Sequence, residues 1–134
     1  MTHEVARHNV IAGVMLDATG RTSPPARDLL TGGAPCYGVF RTADGRHLAV
    51  GALEPQFWQR LCQAIGRPAW SERHHTRGLL PGSDAALALR AELAALIASE
   101  PLAHWVALLG PVDCCVTPVL RLDEARAHPI FLPD

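Results

Sequence analysis

The sequence predicts an α+β fold: a small antiparallel sheet built on a β-hairpin and packed with several helices. Three observations carry this. Asp44-Gly45 separates two β-prone runs. From Pro55 onward the apolar period changes from two residues to 3.6. A strand-like run returns at 113–119 only after several helices, so strands and helices do not alternate as they would in a parallel sheet. A chain of 134 residues with 49% apolar and 19% charged residues is long and apolar enough to form one hydrophobic core.

Along the chain, Val5, Val10, Ile11, Val14 and Met15 give 2–16 a loosely helical spacing. Thr19-Gly20-Arg21-Thr22-Ser23-Pro24-Pro25 is a run of breakers, and Leu29 to Pro35 reads as a second flexible stretch containing Gly32-Gly33. Cys36–Thr42 and Arg46–Leu53 then form the hairpin around Ala43-Asp44-Gly45, because glycine supplies the positive φ of a tight turn without steric cost. Leu48, Val50 and Ala52 form one apolar face, while His47, Ala49 and Gly51 leave small residues opposite, where something is expected to pack closely.

Glu54 precedes Pro55, which pre-sets φ for a first helical turn, and Phe57, Trp58, Leu61, Cys62 and Ile65 make one stripe closed by Gly66. Arg67 to Gly82 reads as loop. Ser83 caps a helix over 84–99 with Leu89, Leu93, Leu96 and Ile97 on one face. Glu100-Pro101 opens another, carrying Leu102, Trp105, Val106 and Leu109 up to Gly110-Pro111. Asp113 to Val119 reads as a strand, and Leu122 to His128 as a last short helix.

Composition excludes several kinds of chemistry. The net charge is −1 and all twelve basic residues are arginine, so there is neither a basic footprint for nucleic acid nor a lysine for Schiff-base or P-loop chemistry. The apolar stretches are too short and too often broken to span a membrane. No secretory signal opens the chain, and its four cysteines include the vicinal pair Cys114-Cys115, so a reduced cytoplasmic protein is expected.

The adjacent His74-His75 show no metal-ligand spacing and read as solvent-exposed loop histidines, with no metal expected. Cys114 and Cys115 read as structural, one thiol buried and one turned outward. Gly32-Gly33 stands in the wrong context for a dinucleotide fingerprint. Glu54 lies at a strand-to-helix junction, beside free N–H groups at the positive end of a helix dipole. On sequence physics alone it is an ordinary helix-terminus acid. The functional alternative is a carboxylate that orients a partner's imidazole.

Gly32-Gly33-Ala34-Pro35-Cys36-Tyr37, Arg41 to Arg46, and Ala49 to Phe57 together resemble the family III CoA-transferases, also called the CaiB/BaiF family, most closely its α-methylacyl-CoA racemase branch. A second block follows: Trp105, Asp113 to Leu120, Glu124-Ala125 and His128-Pro129. The resemblance implies the small domain of a much longer enzyme, with 1–31 a helix and linker of the large-domain connection, 32–120 the small α+β domain and 121–134 a C-terminal helix and return segment. Met1 then corresponds to the interior of a helix in the longer proteins.

The resemblance further implies a coenzyme A thioester as substrate of the parent, and as partners the large domain of the same enzyme and a second subunit in an interlocked homodimer. In such enzymes a large-domain aspartate attacks the thioester, or a large-domain histidine and aspartate exchange the α-proton. By resemblance, Glu54 supports the catalytic histidine and Gly32-Gly33 corresponds to a substrate-proximal loop. No covalently bound cofactor is implied, and the chain alone is expected to be inactive. The alternative is a non-enzymatic protein-binding module derived from the same fold.

Overall fold

The structure, a computed structural model, describes residues 26–129. The helix expected over 2–16 and the breaker run 19–25 lie outside the described residues. A three-stranded antiparallel sheet in the order β1-β2-β3 carries four α-helices, confirming the α+β class. Strand β1 (Tyr37–Arg41) pairs with β2 (His47–Gly51), and α1 (Pro55–Ala64), α2 (Asp84–Ile97) and α3 (Leu102–Leu109) intervene before β3 (Val116–Pro118) and α4 (Leu122–Ala127). No single helix among the described residues is long and apolar enough to cross a membrane.

The hairpin forms as its turn chemistry requires. Gly45 takes φ +75°, and Asp44 accepts hydrogen bonds from the Thr42 hydroxyl (2.5 Å) and the Arg46 N–H (3.3 Å). The same carboxylate accepts the Leu102 N–H at 3.2 Å, and Ala43 N–H donates to the Glu100 carbonyl at 3.0 Å. One acid therefore both closes the turn and satisfies a free amide at the start of α3.

Pairing of Gly38 with Val50, Phe40 with Leu48 and Val50 with Val116 puts these residues on the face that meets the helices. Phe40, Leu48 and Val50 are buried there with Trp58, Leu61, Cys62, Leu89, Leu93, Ile97, Leu102, Trp105 and Leu109. The two buried indoles satisfy their N–H groups on backbone carbonyls, Trp58 on Trp70 and Trp105 on Ile97, each at 2.9 Å. Ser83 caps α2 by accepting the Ala86 N–H at 3.2 Å.

Four expectations are corrected. Leu29 to Gly33 is a wound π-type turn, in which Gly33 N–H donates to the Asp28 carbonyl at 2.7 Å. The loop after α1 contains two 3₁₀ turns, Pro68–Glu72 and His75–Arg77. Val106 faces outward, because α3 needs only Leu102, Trp105 and Leu109 to cover the sheet. The last strand is three residues long: Cys115 adopts φ +54°, a left-handed conformation that interrupts extended backbone before Val116.

Arg90 of α2 sets the start of the hairpin. Its guanidinium donates to the carbonyls of Ala34 (3.1 Å) and Tyr37 (3.0 Å) and lies 4.5 Å from the centre of the Phe40 ring. Gly38, at φ +148°, makes this possible, since a Cβ there would come within 2.7 Å of the guanidinium nitrogens. A lone glycine in an apolar strand is the sequence signal for such a close approach.

Arg90→Met, which keeps the stem but leaves both carbonyls without their donor, should lower stability in denaturant unfolding by about 1.5–3 kcal/mol. Arg90→Lys should recover only part of it, because an ammonium cannot reproduce the planar fork. The Thr42 hydroxyl foremost, then the Leu102 and Arg46 amides, hold the Asp44 carboxyl below its ordinary range. A depressed folded-state value stabilises above the unfolded value of about 3.9 and is lost as pH falls further. Unfolding curves taken between neutral pH and pH ~3 should thus show a shallower acid slope for Asp44→Asn than for the native sequence.

Candidate functional site

The sheet's other face stays open. Tyr37, Val39, Ala49, Gly51 and Thr117 share it by register, and with Cys115 they line a shallow concavity of about 260 Å³. Among the described residues no helix covers this face, and Val39 is 55% exposed upon it. The small residues Ala49 and Gly51, where close packing is expected, form part of its floor. Gly51 carries the ladder past β3 by donating its N–H to the Cys115 carbonyl at 2.8 Å.

Glu54 stands at one end of this face, exposed, as the residue capping α1. Its carbonyl accepts the N–H groups of Phe57 and Trp58, while its side chain makes no capping hydrogen bond and is left free. The residue that feels it is Cys115. Burial first, then the negative charges of Glu54 and Asp113, push that thiol upward against the opposing charge of Arg60. Asp113 is itself ion-paired with Arg60, whose guanidinium also donates to the Asp113 carbonyl at 3.0 Å.

The glycine turn sits at the same end of the sheet. The Tyr37–Gly51 pair is the last rung of the β1–β2 ladder, opposite the turn; in the chain Gly33 precedes Tyr37 and Glu54 follows Gly51. Gly33 is buried, and a Cβ on it would fall 2.3 Å from the Arg27 carbonyl oxygen. Its own carbonyl accepts the Gly82 N–H at 2.9 Å. Gly32 is half-buried at φ +115°, with no atom closer than 3.5 Å to a Cβ, so its glycine is required by conformation and that of Gly33 by space.

The cysteines divide as expected for a vicinal pair, one buried and one exposed, though the left-handed Cys115 and not strand alternation turns them apart. All four thiols are free. Burial pushes Cys36 up to about 11 and Cys62 to about 12, and raises Cys114, so none of these is a ready thiolate.

The histidines are the largest correction to the sequence reading. His74 is not solvent-exposed but 1% exposed, and His75 is half-buried. Their rings lie 4.1 Å apart and meet the thiol of Cys36, which comes from a segment 39 residues away. No local spacing encodes that meeting.

Chemically, the open face offers an apolar surface with one free carboxylate at its rim. Among the described residues no base lies within hydrogen-bonding reach of a nucleophile on this face.

The sequence of CoA-transferase family III matches residues 3–133. The chain is 35% identical over 106 residues to α-methylacyl-CoA racemase of Homo sapiens, covering 79% of this chain and 26% of that protein. It is 40% identical over 71 residues to a probable fatty acyl-CoA transferase, Rv3272, of Mycobacterium tuberculosis, covering 53% of this chain and 18% of that one. A crystal structure of a mutant of Rv3272 superimposes with a TM-score of 0.64 at 28% identity, over 96% of this chain and 32% of that one. The chain thus spans about a quarter of the length of the racemase it matches.

Maleimide labelling checks the thiol order. Cys115 should react in the folded protein, and Cys36, Cys62 and Cys114 only after unfolding. Removing a negative neighbour with Glu54→Gln should speed Cys115 labelling near neutral pH, and added salt should shrink the difference.

Proposed function

The chain belongs to CoA-transferase family III, and from that premise we propose that it is the small-domain wall of an acyl-CoA site whose reacting groups lie on a large domain. Residues 32–120 form the domain proper, with 1–31 and 121–134 as the segments that leave and return to the larger body. The reaction is α-proton exchange on a 2-methylacyl-CoA or transfer of coenzyme A between carboxylic acids. The observation that carries this reading is the uncovered apolar sheet face ending at a free carboxylate, with no acid–base pair of its own.

The division of labour follows from the physics of each part. The groove buries apolar surface, a non-directional attraction suited either to the acyl chain or to the facing domain. Glu54 supplies direction: its side chain is not spent on the helix it caps, so it remains free to accept an N–H from a large-domain imidazole and set which ring nitrogen carries the proton. The wound Gly32-Gly33 turn, which leads into β1, is assigned the substrate-proximal role on the family resemblance. Covering this face with a second subunit of the same enzyme completes the site and shields an enolate from water.

The chain alone should show no hydrogen–deuterium exchange at the α-carbon of a 2-methylacyl-CoA and no coenzyme A transfer above buffer. In a full-length enzyme carrying this domain, Glu54→Gln should lower kcat by about a hundredfold, the low end for a positioned acid–base group, with a smaller change in KM and a shifted pH profile. Activity of the chain alone, or a full-length Glu54→Gln variant with unchanged kcat and pH profile, overturns the reading. Association with unrelated proteins and none with a large domain would favour the binding-module alternative.

A further inference from the structure

Behind the sheet, away from the open face, Cys36, His74 and His75 bring three donor atoms within 4.8 Å of one another. We infer that these three residues form a metal site for a single thiophilic ion of the zinc(II) or copper(I) class.

The geometry fits such an ion. One bonded to sulfur at about 2.3 Å and to nitrogen at about 2.0 Å would hold those two atoms about 3.5 Å apart at a tetrahedral angle and about 3.7 Å apart at a trigonal one. The Cys36 sulfur lies 3.7 Å from His75 Nδ1. A thiol–imidazole hydrogen bond would account for that pair but not for the third member. His74 Nε2 is buried with no hydrogen-bond partner, although the ring is 1% exposed and the backbone of Ala52 and Leu53 lies near it. Its other nitrogen lies between two groups of Thr76, the hydroxyl at 2.9 Å and the backbone N–H at 3.4 Å; ligation through Nε2 uses the tautomer in which Nδ1–H donates to that hydroxyl. A buried, unpartnered ring nitrogen is costly unless something occupies its lone pair.

Binding exchanges the Cys36 S–H bond for a sulfur–metal bond and releases that proton to solvent. The thiolate selects a soft ion over calcium or magnesium. Half-buried His75 gives the route in, and three protein donors leave one position open to a water or a further ligand.

The test uses the full chain, stripped with chelator and titrated with zinc(II), and with cobalt(II) as an optical probe. One ion per chain and a cobalt–thiolate charge-transfer band are expected. Cys36→Ser and His75→Phe should abolish both, whereas Cys115→Ser and His47→Gln, which alter an exposed thiol and an exposed imidazole, should leave them intact. Thr76→Val should weaken binding by roughly tenfold or more. Circular dichroism of each variant separates lost ligation from lost fold. No stoichiometric binding, or binding that survives in folded Cys36→Ser and disappears in Cys115→Ser, overturns the site. These readouts use no acyl-CoA, so they stand or fall apart from the proposed enzyme role.

Discussion

A guanidinium held against two backbone carbonyls and an aromatic ring governs where the hairpin starts. Arg90 reaches from α2 to Ala34 and Tyr37 and lies over Phe40, joining the exit of the glycine turn, the first strand and the second helix at one point. Burial lowers its pKa, yet an arginine stays charged, so the cation must be compensated locally, and the carbonyls and ring do this. Strand parity does the rest. With Tyr37 set at the Tyr37–Gly51 pair, every second residue is committed to the helices or to the open face, and a slip of one residue would exchange the two.

That parity separates a packed face from an open one within one sheet. The inner face is closed by helices and holds the apolar core. The outer face has small residues at Ala49 and Gly51 and contributes little burial of its own, leaving a shallow groove. The other end of the hairpin is anchored independently. Asp44 binds the start of α3, and Arg46 pairs with Glu124 at 2.6 Å, an acid that also accepts the Arg121 N–H at the first turn of α4. Both ends of the hairpin are thus tied to the helices.

Much of this was legible in the sequence because it depends on neighbours along the chain. Asp44-Gly45 specified the turn, Pro55 the start of α1, Ser83 the cap of α2, and the 3.6-residue stripes the inner faces of the helices. Glu54 was legible as a helix-terminus acid at the end of a strand, and the family resemblance marked it out from other such acids. The shortened β3 was not legible, since nothing in Asp113-Cys114-Cys115 announces a left-handed cysteine. Gly33 and Gly82 read as loop residues, whereas both crowd the same Arg27 carbonyl.

By itself the sequence determined the α+β class, the order of the elements and the family, since periodicity, turn chemistry and a collinear motif are local properties. Only the tertiary structure decided which residues far apart in the chain meet. It set Arg90 on the first strand across 53 residues, and Cys36 beside His75 across 39. It also buried His74 and half-buried His75, a pair that reads from sequence as solvent-facing loop. The physical reason is that burial and donor geometry are fixed by how helices close over one face of a sheet, a many-body packing condition that no window of sequence contains.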